Sequence, residues 1–153
     1  MTLKPFLLID NCQAIPLEEV PEVFIGEFRD TIHYAVRRGA RLSAFFAVPQ
    51  DRLVSRIRDK KTSANAFRLF AVIAYDAKSM LAVLSTSVSN SFASLTECPQ
   101  AHWFEREIYE QWGIVPEGHP WLKPIRFHKS YCGKERQKQD SAASVVGVTD
   151  FFR

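Results

Sequence analysis

His102, Glu105 and His119 are the nearest this sequence comes to a catalytic or metal-binding set. His102 and Glu105 stand one helical turn apart, a spacing at which two side chains can be imagined as metal ligands. Two ligands at i and i+3 make only half a site, and the cysteines do not complete it. Cys12, Cys98 and Cys132 are scattered and form no C-x-x-C pair. Structural zinc, iron–sulfur clusters and disulfide frameworks all need several thiolates at matched spacings. Three free thiols in a reducing compartment account for them. No G-x-S-x-G, Walker or G-x-G-x-x-G pattern occurs, so hydrolase and nucleotide-site chemistry lack a starting point. A small enzyme using His102, Glu105 and His119 is a rival reading, and it requires a pocket that joins the three. No catalytic, cofactor-binding or metal-binding residue is assigned.

The element that must position these groups is a helix. It begins near Pro99, whose missing N–H suits a first helical position, and stops at Gly113. At about 100° per residue, Ala101, Phe104, Ile108 and Trp112 share one arc, with Tyr109 at its margin. That arc should pack on a sheet. Glu105 projects into the same arc, so its carboxylate must meet an arginine, a hydroxyl or backbone N–H groups. Treated as a buried charge alone, it predicts that Glu105→Leu harms the isolated fold less than Glu105→Ala. The opposite face carries His102, Trp103, Arg106, Glu107 and Glu110. Two readings stand for Trp103, a large indole among charges. Either the proline-rich loop after Gly113 folds back over it, or it anchors a partner, since interface cores favour Trp and Arg.

The rest of the chain reads as a scaffold for this helix. Residues before Pro21 are broken by Pro5 and Pro16 and are expected to be irregular. Phe24, Phe28, Ile32 and Val36 recur every four residues up to Gly39, which predicts a helix from Glu22 with a glycine stop. Residues 42–48 form a short apolar run closed by Pro49, a strand. Phe67–Tyr75 and Met80–Val88 are two further strands joined through Asp76, Ala77 and Lys78, a hairpin. Residues 52–61 fit a strand or a short helix equally. Pro116, Gly118, Pro120 and Pro124 punctuate an extended loop, and the polar stretch after Tyr131 reads as a linker or tail. The fold class is α+β, a mostly antiparallel sheet of three to five strands packed against two main helices. The domain is expected to occupy residues 1–130, with residues 131–153 as linker.

The totals agree with one domain. A chain of 153 residues with 46% hydrophobic and 24% charged content is ordinary for a globular protein. A net charge of +3 permits an anionic partner without demanding nucleic acid or lipid. No apolar run approaches the roughly 18 residues needed to cross a bilayer. Residues 3–9 are too few for a signal peptide, so a cytoplasmic protein is expected.

One string of residues is distinctive. His102-Trp-Phe-Glu-Arg-Glu-Ile-Tyr-Glu-Gln-Trp-Gly-Ile114, followed by Glu117-Gly-His-Pro-Trp-Leu122, resembles the signature of the complex I 30-kDa subunit family. In that family E-R-E leads through an acidic residue to F-G-I and then G-H-P. Glu105-Arg106-Glu107, Gly113-Ile114 and Gly118-His119-Pro120 stand in the matching places, and Ser94-Leu95-Thr96 is similar to the family's entry to this helix. The sequence departs from the pattern at Glu110 (usually Asp), at Gln111-Trp112 and at Trp121, where the family has an acid. Ala101-His102-Trp103-Phe104 and Pro116-Glu117-Gly118-His119-Pro120 are most similar to a sister branch. That branch is the N-terminal domain of the large subunit of formate-hydrogenlyase-type, energy-conserving [NiFe] hydrogenases.

The resemblance implies a docking and assembly domain without a cofactor, part of an oxidoreductase complex whose active site lies outside residues 1–153. Iron–sulfur clusters, and a nickel–iron centre in the hydrogenase branch, would belong to other regions or subunits. The implied partners are a catalytic large-subunit region and iron–sulfur subunits. The implied location is the cytoplasmic face of the cytoplasmic membrane, reached through the complex. A stand-alone 30-kDa-type subunit of an NADH:quinone oxidoreductase is the alternative. Trp103, Arg106, Glu107, His119 and Trp121 are the expected contact or loop-fixing residues. Glu105 and Tyr109 belong to the structural motif, and Gly113, Gly118 and Pro120 to its turns. A rival of another class is a nucleic-acid-binding module resting on Arg52, Arg56, Arg58, Lys60 and Lys61, with more basic residues from 123 to 138. Neither run interleaves aromatics in a nucleic-acid-reading pattern, so no nucleic-acid partner is expected.

Overall fold

The computed structural model describes residues 5–50, 53 and 66–125. Its elements run β1 (Leu7–Asp10), a 3-10 turn (Leu17–Glu19), α1 (Ile25–Arg37), β2 (Arg41–Pro49), β3 (Phe67–Tyr75) and β4 (Met80–Val88). Then come β5 (Ser91–Ala93), a 3-10 turn (Pro99–Ala101), α2 (His102–Trp112) and β6 (Val115–Glu117). Strands β1 to β4 form an antiparallel sheet in the order β1-β4-β3-β2, and β5 pairs with β6 in parallel. This is the α+β class, with the two helices on one face of the sheet. The basic segment 52–61 lies outside the described residues apart from Leu53, as does the tail 131–153 with Cys132.

β3 is apolar at nearly every position because it is an inner strand with both faces covered. Leu69, Ala71 and Ile73 turn toward the helices and join Phe28, Ile32 and Ala35 of α1 and Ile108 of α2 in the main core. Phe45 of β2 meets Phe28 and Phe92 at ring-centroid distances of 6.0 and 5.7 Å. Each such side chain, fully buried, contributes about 1.5–3 kcal/mol. Phe70 and Val72 face the other way and pack with Ile9, Val20 and Val83. There Arg68 donates to Ser85 Oγ and to the Val20 carbonyl, both at 2.9 Å, and clips the N-terminal segment to the sheet.

Two expectations need correction. The segment before Pro21 is not wholly irregular, because Leu7–Asp10 pairs with Met80–Val83 as edge strand β1. A four-residue strand has no local signal strong enough to outweigh its proline neighbours; the free edge of β4 makes it a strand. Phe24 does not join the helical stripe. It precedes α1 in extended conformation and is 87% exposed.

Gly39 and Gly113 both take positive φ, +86° and +71°, where the two helices end. Gly113 donates its N–H to the Tyr109 carbonyl and turns the chain into β6. A Cβ there would meet nothing within 4 Å, so only backbone strain opposes a side chain. Gly113→Ala is therefore expected to cost about 1 kcal/mol, and Gly113→Asn less, in denaturant melts.

Candidate functional site

β5, α2 and β6 form a small unit in which the helix connects two neighbouring strands paired in parallel. Ser94 N–H donates to the Glu117 carbonyl and Val115 N–H to the Asn90 carbonyl, one at each end of this two-stranded ladder. Gln100 ties it to the main sheet by accepting from Leu42 N–H at 2.6 Å. The loop after β6 then runs back along α2, over the face that the sequence marks as polar.

The charged residues of α2 hold this arrangement together. Glu105, 1% exposed, accepts from Ser94 Oγ at 2.7 Å and from Leu95 N–H at 2.6 Å, so it fixes the turn that enters the helix. Burial raises its pKa, and those two hydrogen bonds oppose the shift. Arg106 works in the other direction along the chain. Its Nε donates to the Lys123 carbonyl at 2.6 Å and its Nη2 to the Pro124 carbonyl at 2.7 Å. Glu110 accepts from Ile125 N–H at 2.6 Å. One helix thus straps the segment before it and the segment after it.

Arg106 also lies between two indoles. Its guanidinium carbon is 4.6 Å from the centre of Trp103 and 4.7 Å from that of Trp121. The wheel places Arg106 on the solvent side, yet it is 1% exposed, because the returning loop brings Trp121 and two carbonyls onto it. Burial lowers its pKa, with Glu110 opposing, and Nη1 is enclosed without a hydrogen-bond partner. The loop does fold back, but over Arg106. Trp103 stays 60% and Trp121 46% exposed, each with one face spent on the guanidinium. Two fixed indoles on the surface with a cation between them suit protein recognition, where Trp and Arg dominate buried anchors.

His102, Glu105 and His119 do converge. His119 Nε2 lies 3.8 Å from Glu105 Oε2 and 3.3 Å from the His102 carbonyl, and the two imidazole rings are 4.7 Å apart. Burial lowers the pKa of both histidines, and Arg106 adds to this. Two members of the cluster are closed to a substrate. The side chains of His119 and Glu105 are buried, and the carboxylate is committed to Ser94 and Leu95. A groove lies elsewhere, between the start of α1 and β4–β6, lined by Arg29, Gln50, Ser87, Phe92 and Glu117 among others. Among the described residues no three His, Cys, Asp or Glu side chains gather as a metal site.

The remaining motif residues take simpler positions. Gly118 has φ +83° and sets the turn that delivers His119, while Pro120 is exposed at its tip. Glu107 and Tyr109 are half-buried on α2. Trp121 N–H donates to His119 Nδ1 at 3.1 Å. No motif or spacing in the sequence points to a role for Glu110 or for the backbone of Lys123, Pro124 and Ile125. The one available signal was an acid on the helix face that a proline-rich return must cross.

A profile of the respiratory-chain NADH dehydrogenase 30 Kd subunit matches residues 38–142, more than half of the chain. The chain belongs to this family. The C-type NADH-quinone oxidoreductase subunit of Bordetella avium is 40% identical to it over 55 residues, 35% of this chain and 27% of that protein. The C/D-type subunit of Bdellovibrio bacteriovorus is 45% identical over 50 residues, 33% of this chain and 9% of that protein. The C/D-type subunit of a Psychrobacter species is 37% identical over 54 residues, again 9% of its length. The chain therefore spans well under two thirds of each of these relatives.

Proposed function

We propose that this 30-kDa-type chain is a non-catalytic docking and assembly element of an NADH-quinone oxidoreductase complex. The observation that carries the proposal is the pair of exposed indoles, Trp103 and Trp121, braced on either side of buried Arg106. Bracing matters because an ordered aromatic loses little entropy on binding. The names of the relatives favour the quinone-oxidoreductase alternative over the hydrogenase large-subunit reading. Electron carriers would sit in neighbouring subunits. Membrane association would be peripheral and indirect, since no helix among the described residues is long and apolar enough to cross a bilayer.

The test is affinity purification of the chromosomally tagged protein from detergent-solubilised membranes, with mass spectrometry of bait and partners. Quinone-reductase subunits are expected with the wild type. The Trp103→Ala/Trp121→Ala double variant should lose them at least tenfold, as removal of two interface aromatics costs about 2 kcal/mol or more each. Its melting stability should stay within about 2 kcal/mol of wild type, because only exposed ring faces and two cation–π contacts go. A bait far heavier than 17.5 kDa that brings nickel-containing subunits would move the chain to the hydrogenase branch. A bait without redox partners would defeat the docking proposal.

A further inference from the structure

The second exposed tryptophan is held by a bond that only a neutral histidine can make. Trp121 backbone N–H donates to His119 Nδ1 at 3.1 Å. A ring nitrogen that accepts carries no proton, so the proton of the neutral ring sits on Nε2, which faces the His102 carbonyl at 3.3 Å. Both nitrogens are thus satisfied by one tautomer. A proton added at Nδ1 would set a donor against a donor.

We propose that His119 is a proton-operated latch: neutral, it locks Trp121 against Arg106; protonated, it releases the 118–121 turn and dissolves the indole–guanidinium–indole sandwich. The surroundings favour the neutral form. Burial opposes a charge on the ring, the Arg106 cation on α2 adds to this, and the His102 carbonyl facing Nε2 partly offsets both. Among the described residues Glu105 is the acid that faces the ring; it lies 3.8 Å away and already accepts from Ser94 and Leu95. From the turn ahead of the helix, Ser94 and Leu95 present only neutral groups. On the loop itself Gly118, Pro120 and Trp121 carry no charge.

The sign follows from linkage. The latched state holds the His119 pKa below its ordinary value, so the released state binds the proton more tightly. The latch is intact above about pH 6.5, the ordinary histidine value, and weakens as pH falls below it. Glu105 runs the other way, since its raised pKa favours the fold toward acid. The global melt mixes the two effects, and a local readout at Trp121 separates them.

That readout is an NMR titration of the uniformly 15N-labelled 153-residue chain from pH 7.5 to 5. At the upper end the His119 ring should show an unprotonated Nδ1. On acidification the Trp121 backbone amide should lose its hydrogen-bonded shift with the same midpoint as the His119 ring. His119→Asn places an amide oxygen where Nδ1 stood, the acceptor of an Asx turn, and cannot titrate. In that variant the Trp121 amide should keep its shift across the whole range. His119→Gln has no acceptor so close to the backbone and should show the released shift at every pH. A proton on Nδ1 at pH 7.5, or a Trp121 amide that stays put down to pH 5 in the wild type, would overturn the latch. Any effect on assembly rests additionally on the docking proposal. Co-purification of His119→Gln tests that part: normal partner yield with a working titration would leave the latch standing and remove its role in docking.

Discussion

Arg106→Ala is expected to cost about 3–5 kcal/mol of folding stability, among the largest effects of a single side chain in this domain. The guanidinium makes two hydrogen bonds to carbonyls, of Lys123 and Pro124, and hydrogen bonds from a charged donor are each worth about 1.5–3 kcal/mol. Two half-exposed indole faces add about 0.5–1 kcal/mol apiece. Relief of the buried charge returns part of this, which sets the net below the sum. The variant also leaves a void between the rings and two carbonyls without donors. Melting should fall by on the order of 10 °C. Arg106→Lys should recover less than half, because a point ammonium on a flexible stem cannot reach both carbonyls while lying flat between two rings. Chemical denaturation of the three proteins checks this. An alanine variant within about 1 kcal/mol of wild type would mean that Arg106 is a passenger in the loop's return.

The second large effect is at Glu105, and here the structure changes the expectation drawn from sequence. Considered only as a buried charge, Glu105 should tolerate leucine better than alanine. The carboxylate instead receives two buried donors, Ser94 Oγ and Leu95 N–H. Leucine and alanine both strand those donors, so both should cost about 3 kcal/mol, with no advantage for leucine. Glutamine is the mild substitution. Its carbonyl oxygen accepts from Leu95 N–H, and its amide N–H can donate to the Ser94 hydroxyl oxygen. Glu105→Gln should stay within about 1 kcal/mol of wild type and no longer lose stability as pH rises through the raised pKa of the carboxyl. Melts of the three variants at pH 5 and pH 8 decide the matter. Leucine clearly milder than glutamine would show that desolvation outweighs the hydrogen bonds.

The scaffold was legible because its signals are local. The apolar runs Phe67–Tyr75 and Met80–Val88 coincide with β3 and β4, and Asp76, Ala77 and Lys78 form the turn between them. Period-four spacing of Phe28 and Ile32 with a glycine after the last turn marks α1, and Pro99 and Gly113 bracket the second helix. Phe24 was misplaced because a periodic pattern does not tell where a helix begins. β1 was missed because its pairing with β4 spans more than sixty positions of sequence.

The site divides along the same line. Local signals suffice to show that one helix carries the distinctive residues, that a carboxylate sits among its apolar ones, and that a glycine- and proline-punctuated return follows. Spacing along one helix fixes which side chains share a face, and turn residues act on their own backbone. The burial of Arg106, the stacking of Trp121 on it opposite Trp103, and the meeting of His119 with both Glu105 and the backbone of Trp121 arise only when the loop packs on the helix. The contacts between helix and loop join residues 14 to 18 positions apart, along a path that no periodicity encodes. The strap exists because buried carbonyls and N–H groups of the returning chain need partners, and the charged face of α2 is the nearest supply.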